Sequence, residues 1–117
     1  MSQITRKALR FSDLSGHRQQ LVRLCQATNY GQIQGLELRD GEPVVDPEPI
    51  VWIDVKLGVD EGARPEPHSA DFTLQNEICG LMAGLDQIHN GVIDKIEIRA
   101  GIPRRLFFRR RSAAAPR

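Results

Sequence analysis

The chain has 117 residues, a net charge of +1, 40% hydrophobic and 26% charged residues, and two cysteines. That suits one domain with its own core and excludes a disulfide framework. No apolar run is long enough for a transmembrane helix, and the opening "MSQITRKALRFSDLSG" lacks the apolar centre of a signal peptide, so a cytoplasmic domain without membrane contact is expected.

Residues 1–12 are mixed and polar and predict a loose arm or a short edge strand. "SGHRQQLVRLCQAT" then has helical spacing, with Leu21, Leu24, Cys25 and Thr28 at i, i+3, i+4 and i+7. Ser12 or Ser15 can cap its start, and Tyr30-Gly31 ends it, Gly31 suiting a position of positive φ. In "GLELRDGEPVV", Leu36 and Leu38 alternate with Glu37 and Arg39, and Asp40-Gly41 is a two-residue hairpin turn signal. "DPEP" at 46–49 breaks the strand, because proline cannot donate to a ladder. "IVWIDVKL" predicts a half-solvated strand, with Val51, Ile53, Val55 and Leu57 on one face and Trp52, Asp54 and Lys56 on the other.

A loop rich in Gly, Pro and charge covers 58–68. Ser69 is expected to cap a second helix with an apolar stripe of Leu74, Ile78, Leu81, Leu85 and Ile88. Gly80 and Gly84 lie one turn apart in it, at roughly 1 kcal/mol each against Ala, which predicts close backbone approach to another element. A second hairpin follows, with Ile96 and Ile98 inward and "RAGIP" at the turn. "RRLFFRRR" is the last strand, and "SAAAPR" a disordered end.

The second half repeats the first at an offset of 60. Leu21 aligns with Leu81, Cys25 with Leu85, Gly31 with Gly91, Ile33 with Ile93, Leu36 with Ile96 and Leu38 with Ile98. Both copies break strand alternation at one place, Ile33 to Leu36 and Ile93 to Ile96, which predicts a bulge or strand start there. An αββ unit is too small to bury its own apolar face, so two copies are expected to share a core. The unit, a helix followed by "YGQIQGLELRDGEPVV", resembles the YezD-like family of very small uncharacterised bacterial proteins over about residues 18–57, and again over 78–111. The whole chain is also similar to small hypothetical proteins of environmental bacteria with no assigned activity. The resemblance implies the αββ unit and carries over no catalytic residue. In the second copy Asn90 replaces the aromatic residue and Ala100 the turn Asp.

The fold expected is therefore α+β, a tandem αββ repeat with two helices packed on an antiparallel sheet. One domain, 1–117, is built of units 15–57 and 69–111, with 112–117 as a disordered tail.

Little in the chain assembles chemistry. His17, His68 and His89 have no Cys or His at ligand spacing, which predicts no metal. "HSAD" at 68–71 groups triad residue types, yet adjacency in sequence does not make them converge in space. Glu37/Arg39 and Glu97/Arg99 are expected to pair across strands. "GLMAG" is no phosphate loop. No catalytic residue and no cofactor is assigned.

The charge is uneven. Residues 99–117 hold seven Arg and no acid, which leaves −6 on the other 98 residues. Most of that lies between Glu37 and Glu61, where eight acids meet only Arg39 and Lys56. The tail is either solvated or drawn to an acidic partner, including the acidic middle of another copy. The candidate contact residues are Trp52, Arg104, Arg105, Phe107, Arg109, Arg110 and Arg111. Their expected role is partner binding in a non-catalytic assembly or adaptor module that self-associates as a homo-oligomer. The alternative is single-stranded nucleic acid on the Arg/Phe-rich strand, where aromatics stack bases and Arg meets phosphate.

Overall fold

A computed structural model of the chain describes residues 10–58 and 73–109. The expected arm at 1–9, most of the 58–68 loop, the Ser69 cap, the "HSAD" stretch, Arg110, Arg111 and the tail at 112–117 lie outside the described residues.

Phe11–Asp13 form a short 3-10 turn that buries Phe11 in the core while Ser12 and Asp13 stay exposed. Helix α1 (Gly16–Thr28) starts at Ser15, whose Oγ accepts the Arg18 N–H at 3.2 Å. This satisfies one of the donors that every helix start leaves unpaired. Helix α2 (Asn76–Ile88) starts after Gln75, later than a Ser69 cap would place it. Both helices end on a residue at φ 66, Asn29 and His89, each the centre of a tight turn in which the Tyr30 N–H donates to the Thr28 carbonyl at 2.7 Å and the Asn90 N–H to the Ile88 carbonyl at 2.6 Å, and Gly31 has the expected positive φ, at 156.

Five strands form one antiparallel sheet: β1 (Gly31–Arg39), β2 (Glu42–Val44), β3 (Ile50–Ile53), β4 (Gly91–Arg99) and β5 (Ile102–Phe108). Strands β1 and β4 pair at the centre, and β5 flanks β4. On the other side of β1, β2 pairs with residues 37–39 and β3 with residues 31–34. The prolines of "DPEP" keep the chain off the sheet between them. Strand β3 then stops at Ile53, so the predicted strand to Leu57 is half its expected length. Val55 and Leu57 are 66% and 89% exposed and join no apolar face.

The expected break in alternation is present on both central strands. Gln34 pairs with Lys95 and Leu36 with Ile93, while Gly35, at φ 71, and Asp94 between them leave the ladder together. Because both strands slip at the same row, the register is kept. Ile33, Leu36, Leu38, Ile93, Ile96 and Ile98 consequently all face the helices. They pack with Leu21, Val22, Cys25, Leu74, Ile78, Leu81, Met82 and Leu85 into one core, with α1 over β2 and α2 over β5.

The hairpin turns lock the two halves together. Asp40-Gly41 and Ala100-Gly101 share the same left-handed pair of φ angles, 52 and 80 against 52 and 78. The Gly41 N–H donates to the His89 carbonyl at 2.6 Å and the Gly101 N–H to the Asn29 carbonyl at 2.8 Å. Each turn thus caps the end of the helix from the other half. Arg18 adds a tie, its Nη2 donating to the Gly41 carbonyl at 2.9 Å and to Asp86 Oδ1 at 2.6 Å.

Cys25 is buried in the core, and burial pushes its thiol up to about 12. A thiol that ionises more readily in the unfolded chain stabilises the fold fully below the unfolded pKa and less as pH climbs towards the folded value. Stability should therefore fall as pH rises from 9.0, the ordinary thiol value, towards about 12. Urea unfolding at stepped alkaline pH measures this slope, and Cys25→Ala should flatten it. An unchanged slope in that variant would assign the effect elsewhere.

Candidate interaction face on the sheet

Both helices lie on one side of the sheet, so its other side has no layer over it among the described residues. Directly paired residues of neighbouring strands point the same way, and the register therefore gives the rows of this outer face. Read from β3 through β1 and β4 to β5, one row is Trp52, Gln32, Glu97, Arg105. The next is Ile50, Gln34, Lys95, Phe107. A third, beyond the slip, is Val44, Glu37, Val92.

The apolar members are well exposed: Trp52 58%, Ile50 61%, Phe107 40% and Val92 51%. The polar members largely satisfy one another. Gln34 Nε2 donates to Gln32 Oε1 at 2.9 Å. Glu97 lies between Lys95 at 3.7 Å and Arg105 at 3.9 Å. The Lys95 ammonium sits 4.7 Å over the Phe107 ring, within cation–π range. Arg39 Nε pairs with Glu37 at 2.9 Å along the same strand, and this contact raises the already high guanidinium pKa. The Glu37/Arg39 pair is therefore not cross-strand, and Glu97 bonds Lys95 and Arg105 in place of Arg99. A shallow hollow of about 400 Å³ opens beside Trp52, lined also by Tyr30, Gln32, Gln34, Asp54, Glu97 and Arg99.

Of the residues singled out in the sequence, Trp52, Arg105 and Phe107 share this face, with Trp52 on one edge and the other two on the opposite edge. Arg104 does not join them. The ladder gains one residue between Pro103 and Arg105, and Arg104 turns to the helix layer to pair with Glu77 at 2.8 Å. Arg109 is exposed just beyond β5. Ile50, Gln32, Gln34 and Lys95 were not singled out. The alternation of Gln32 and Gln34 around buried Ile33 was the available signal for two of them.

The glycines of α2 do not mediate a close backbone approach. A Cβ on Gly80 would meet nothing within 4 Å, and one on Gly84 only the Leu106 side chain at 3.6 Å. They leave a groove of about 320 Å³ between α2 and β5, floored by Leu81, Ile96, Pro103 and Leu106.

A second polar cluster gathers around Arg18, where His89 lies 3.7 Å from Asp40 and Ser15 donates to Glu42. Its members pair with one another and tie α1, the first turn and α2. The Ser15 hydroxyl that meets the Glu42 carboxylate at 2.5 Å also accepts the Arg18 N–H as the cap of α1. Among the described residues no group of His, Cys, Asp and Glu has the geometry of a metal site, and no helix is long and apolar enough to cross a membrane. No family model, curated protein or solved structure gives a significant match to the chain.

Proposed function

We propose that this chain is a non-catalytic assembly module that associates with itself through the face of its sheet that no helix covers among the described residues. One observation carries the proposal: Trp52, Ile50 and Phe107 stand exposed on a face whose polar groups already pair with each other. Burying such a face removes apolar area from water, about 25 cal/mol per Å², without leaving many polar groups unsatisfied. The same proposal takes the chain as two αββ units. It is supported by the bounds of α1 and α2 and of β1 and β4, which recur at an offset of 60, by turns of matching φ, and by the reciprocal capping of helix ends.

Sedimentation across a concentration series tests it, with the emission of Trp52, the only tryptophan, as a local reporter. A concentration-dependent dimer with blue-shifted Trp52 emission is expected. Trp52→Ala should weaken association at least tenfold, the scale of an interface hot spot. A wild-type chain that stays monomeric at several hundred micromolar would overturn the proposal.

A second reading has one observation in its favour. Arg105, Phe107, Lys95 and Trp52 share a face, a combination that suits base stacking beside phosphate contacts. Glu37 and Glu97 on that face oppose it. Binding to a short single-stranded oligonucleotide that weakens steeply with salt would support this reading.

A further inference from the structure

The two edges of the sheet carry opposite charge. We infer that the β5 edge of one copy pairs antiparallel with the β3 edge of a second copy, so that the sheet continues from chain to chain. This joint uses a surface separate from the outer face proposed above and does not depend on it.

Strand order leaves β5 at one border, and β2 with β3 at the other, with no further strand beside them among the described residues. An unpaired edge presents free N–H and C=O groups to which another strand can bond. From Ile102 to Arg109 the chain has three arginines, Arg104, Arg105 and Arg109, and no acid. From Asp46 to Asp54 it has three acids, Asp46, Glu48 and Asp54, and no base. All six are exposed. Glu77 and Glu97 pair with Arg104 and Arg105, but Glu97 is shared with Lys95, so the β5 border stays positive. Arg109 and the three acids have no ion pair among the described residues. Two β3 edges would line one seam with acids alone, and two β5 edges would bring two positive borders together. Like charges repel in both cases, and only unlike edges attract.

Strand direction agrees. Strands β3 and β4 both run antiparallel to β1, and β5 runs antiparallel to β4, so β5 and β3 run in opposite senses. A second copy displaced along the sheet therefore presents an antiparallel β3, with its helices on the same side. Arg105 and Phe107 then line up with Trp52 and Ile50 of the partner subunit on the outer face, and half-buried Leu106 lies level with the β3 side chains beneath. Two registers, two residues apart, preserve the faces. One sets Arg109 beside Glu48 of the partner subunit and the other sets Arg105 beside Asp54 of the partner subunit, so each pairs an arginine with an acid.

The helix layer has room for the joint. Four strands at ~4.8 Å span about 19 Å, the width of two helices spaced about 8–10 Å apart. A neighbouring α1 then lies beside α2 and covers the groove between α2 and β5. The joint is heterologous, so a third copy adds as the second did, and the wild-type chain should form a series of species beyond the dimer.

Two variants separate the edges. Arg105→Gln with Arg109→Gln neutralises the β5 edge and keeps the β3 edge. Glu48→Gln with Asp54→Asn does the reverse. All four positions are exposed, so both variants should fold. Fluorescence-detected sedimentation at low salt compares each variant with itself and with the other. The mixed pair should be at least tenfold tighter than either like pair, because only it sets an intact arginine edge against an intact acidic edge. The preference should vanish in high salt. Ala83→Glu and Ala83→Lys place opposite charges on α2 beside the Arg18 cluster, and their mixed pair should show no such preference. Equal strength of all three edge pairings, or the same preference in the Ala83 pair, overturns the edge joint and leaves the outer face as the site of association. A wild-type chain that stays monomeric overturns both.

Discussion

Gly31→Ala is expected to lower stability by about 2–3 kcal/mol, the range of overpacking that cannot relax, and to unseat β3. Gly31 faces Ile53 in the ladder, and a Cβ there would overlap the Trp52 carbonyl oxygen and lie 3.2 Å from the Ile53 Cα. Both obstacles are backbone, so no rotamer change relieves them. The chain also holds φ near 156 at this glycine, a conformation that residues with a Cβ rarely adopt. Gly91 provides an internal control, since its φ of 144 is similar but its Cβ would meet only the Ile88 side chain, at 3.8 Å. Gly91→Ala should therefore show the backbone strain alone. The difference in melting temperature between the two variants isolates the β3 contact. Hydrogen exchange should locate it, with the Ile53 amide and the Asp54 amide, which bonds the Tyr30 carbonyl at 2.7 Å, losing protection. Equal effects of the two substitutions would show that β3 does not need the bare Cα.

Leu36→Ala should be larger still, at about 2–5 kcal/mol, or on the order of 10 °C or more in melting temperature. Leu36 is wholly buried at the middle of the core, opposite Ile93 in the central ladder. The space it leaves is bounded by strand backbone and by two helices fixed at their ends, so collapse is restricted. Leu57→Ala is the contrasting case. Leu57 is 89% exposed, and the substitution should fall within about 0.5 kcal/mol of wild type. Urea unfolding of the two variants measures the contrast. A Leu57→Ala loss approaching that of Leu36→Ala would return Leu57 to an apolar strand face and contradict the early end of β3.

Features governed by local chemistry were legible in the sequence. The Asp40-Gly41 turn, the Ser15 cap, the inward set from Ile33 to Leu38, and the slip at Gly35 each follow from two to six neighbouring residues. The α+β class followed from the same signals. What could not be read locally was set by distant partners. Strand β3 ends at Ile53 because β1 runs out at Gly31, and nothing in "IDVKL" announces that. Arg104 leaves its strand face for Glu77 on α2 because the ladder with β4 has an extra residue there. The glycines of α2 were read as a contact surface because their propensity cost was visible and the open space beside them was not. For the candidate face, Trp52, Arg105 and Phe107 could be named from residue type. Their placement at opposite edges, and the polar pairs between them, depend on the β1/β4 register that joins residues far apart in the chain.

The reciprocal capping of helix ends has a consequence for how the chain becomes ordered. A helix–hairpin half that forms first has a turn donor with no acceptor and a helix end with no cap, because both partners belong to the other half. The central ladder that brings the halves together pairs Leu38 with Gly91 and Gly31 with Ile98, closing a loop of more than fifty residues. Loop closure is slow, and its entropy must be overcome before the contacts it brings can offset it. Early local structure is therefore expected to stay frayed at its ends until the central ladder forms. The chain is therefore expected to unfold as one cooperative unit, in which damage to either hairpin turn is felt at the end of the helix that the turn caps.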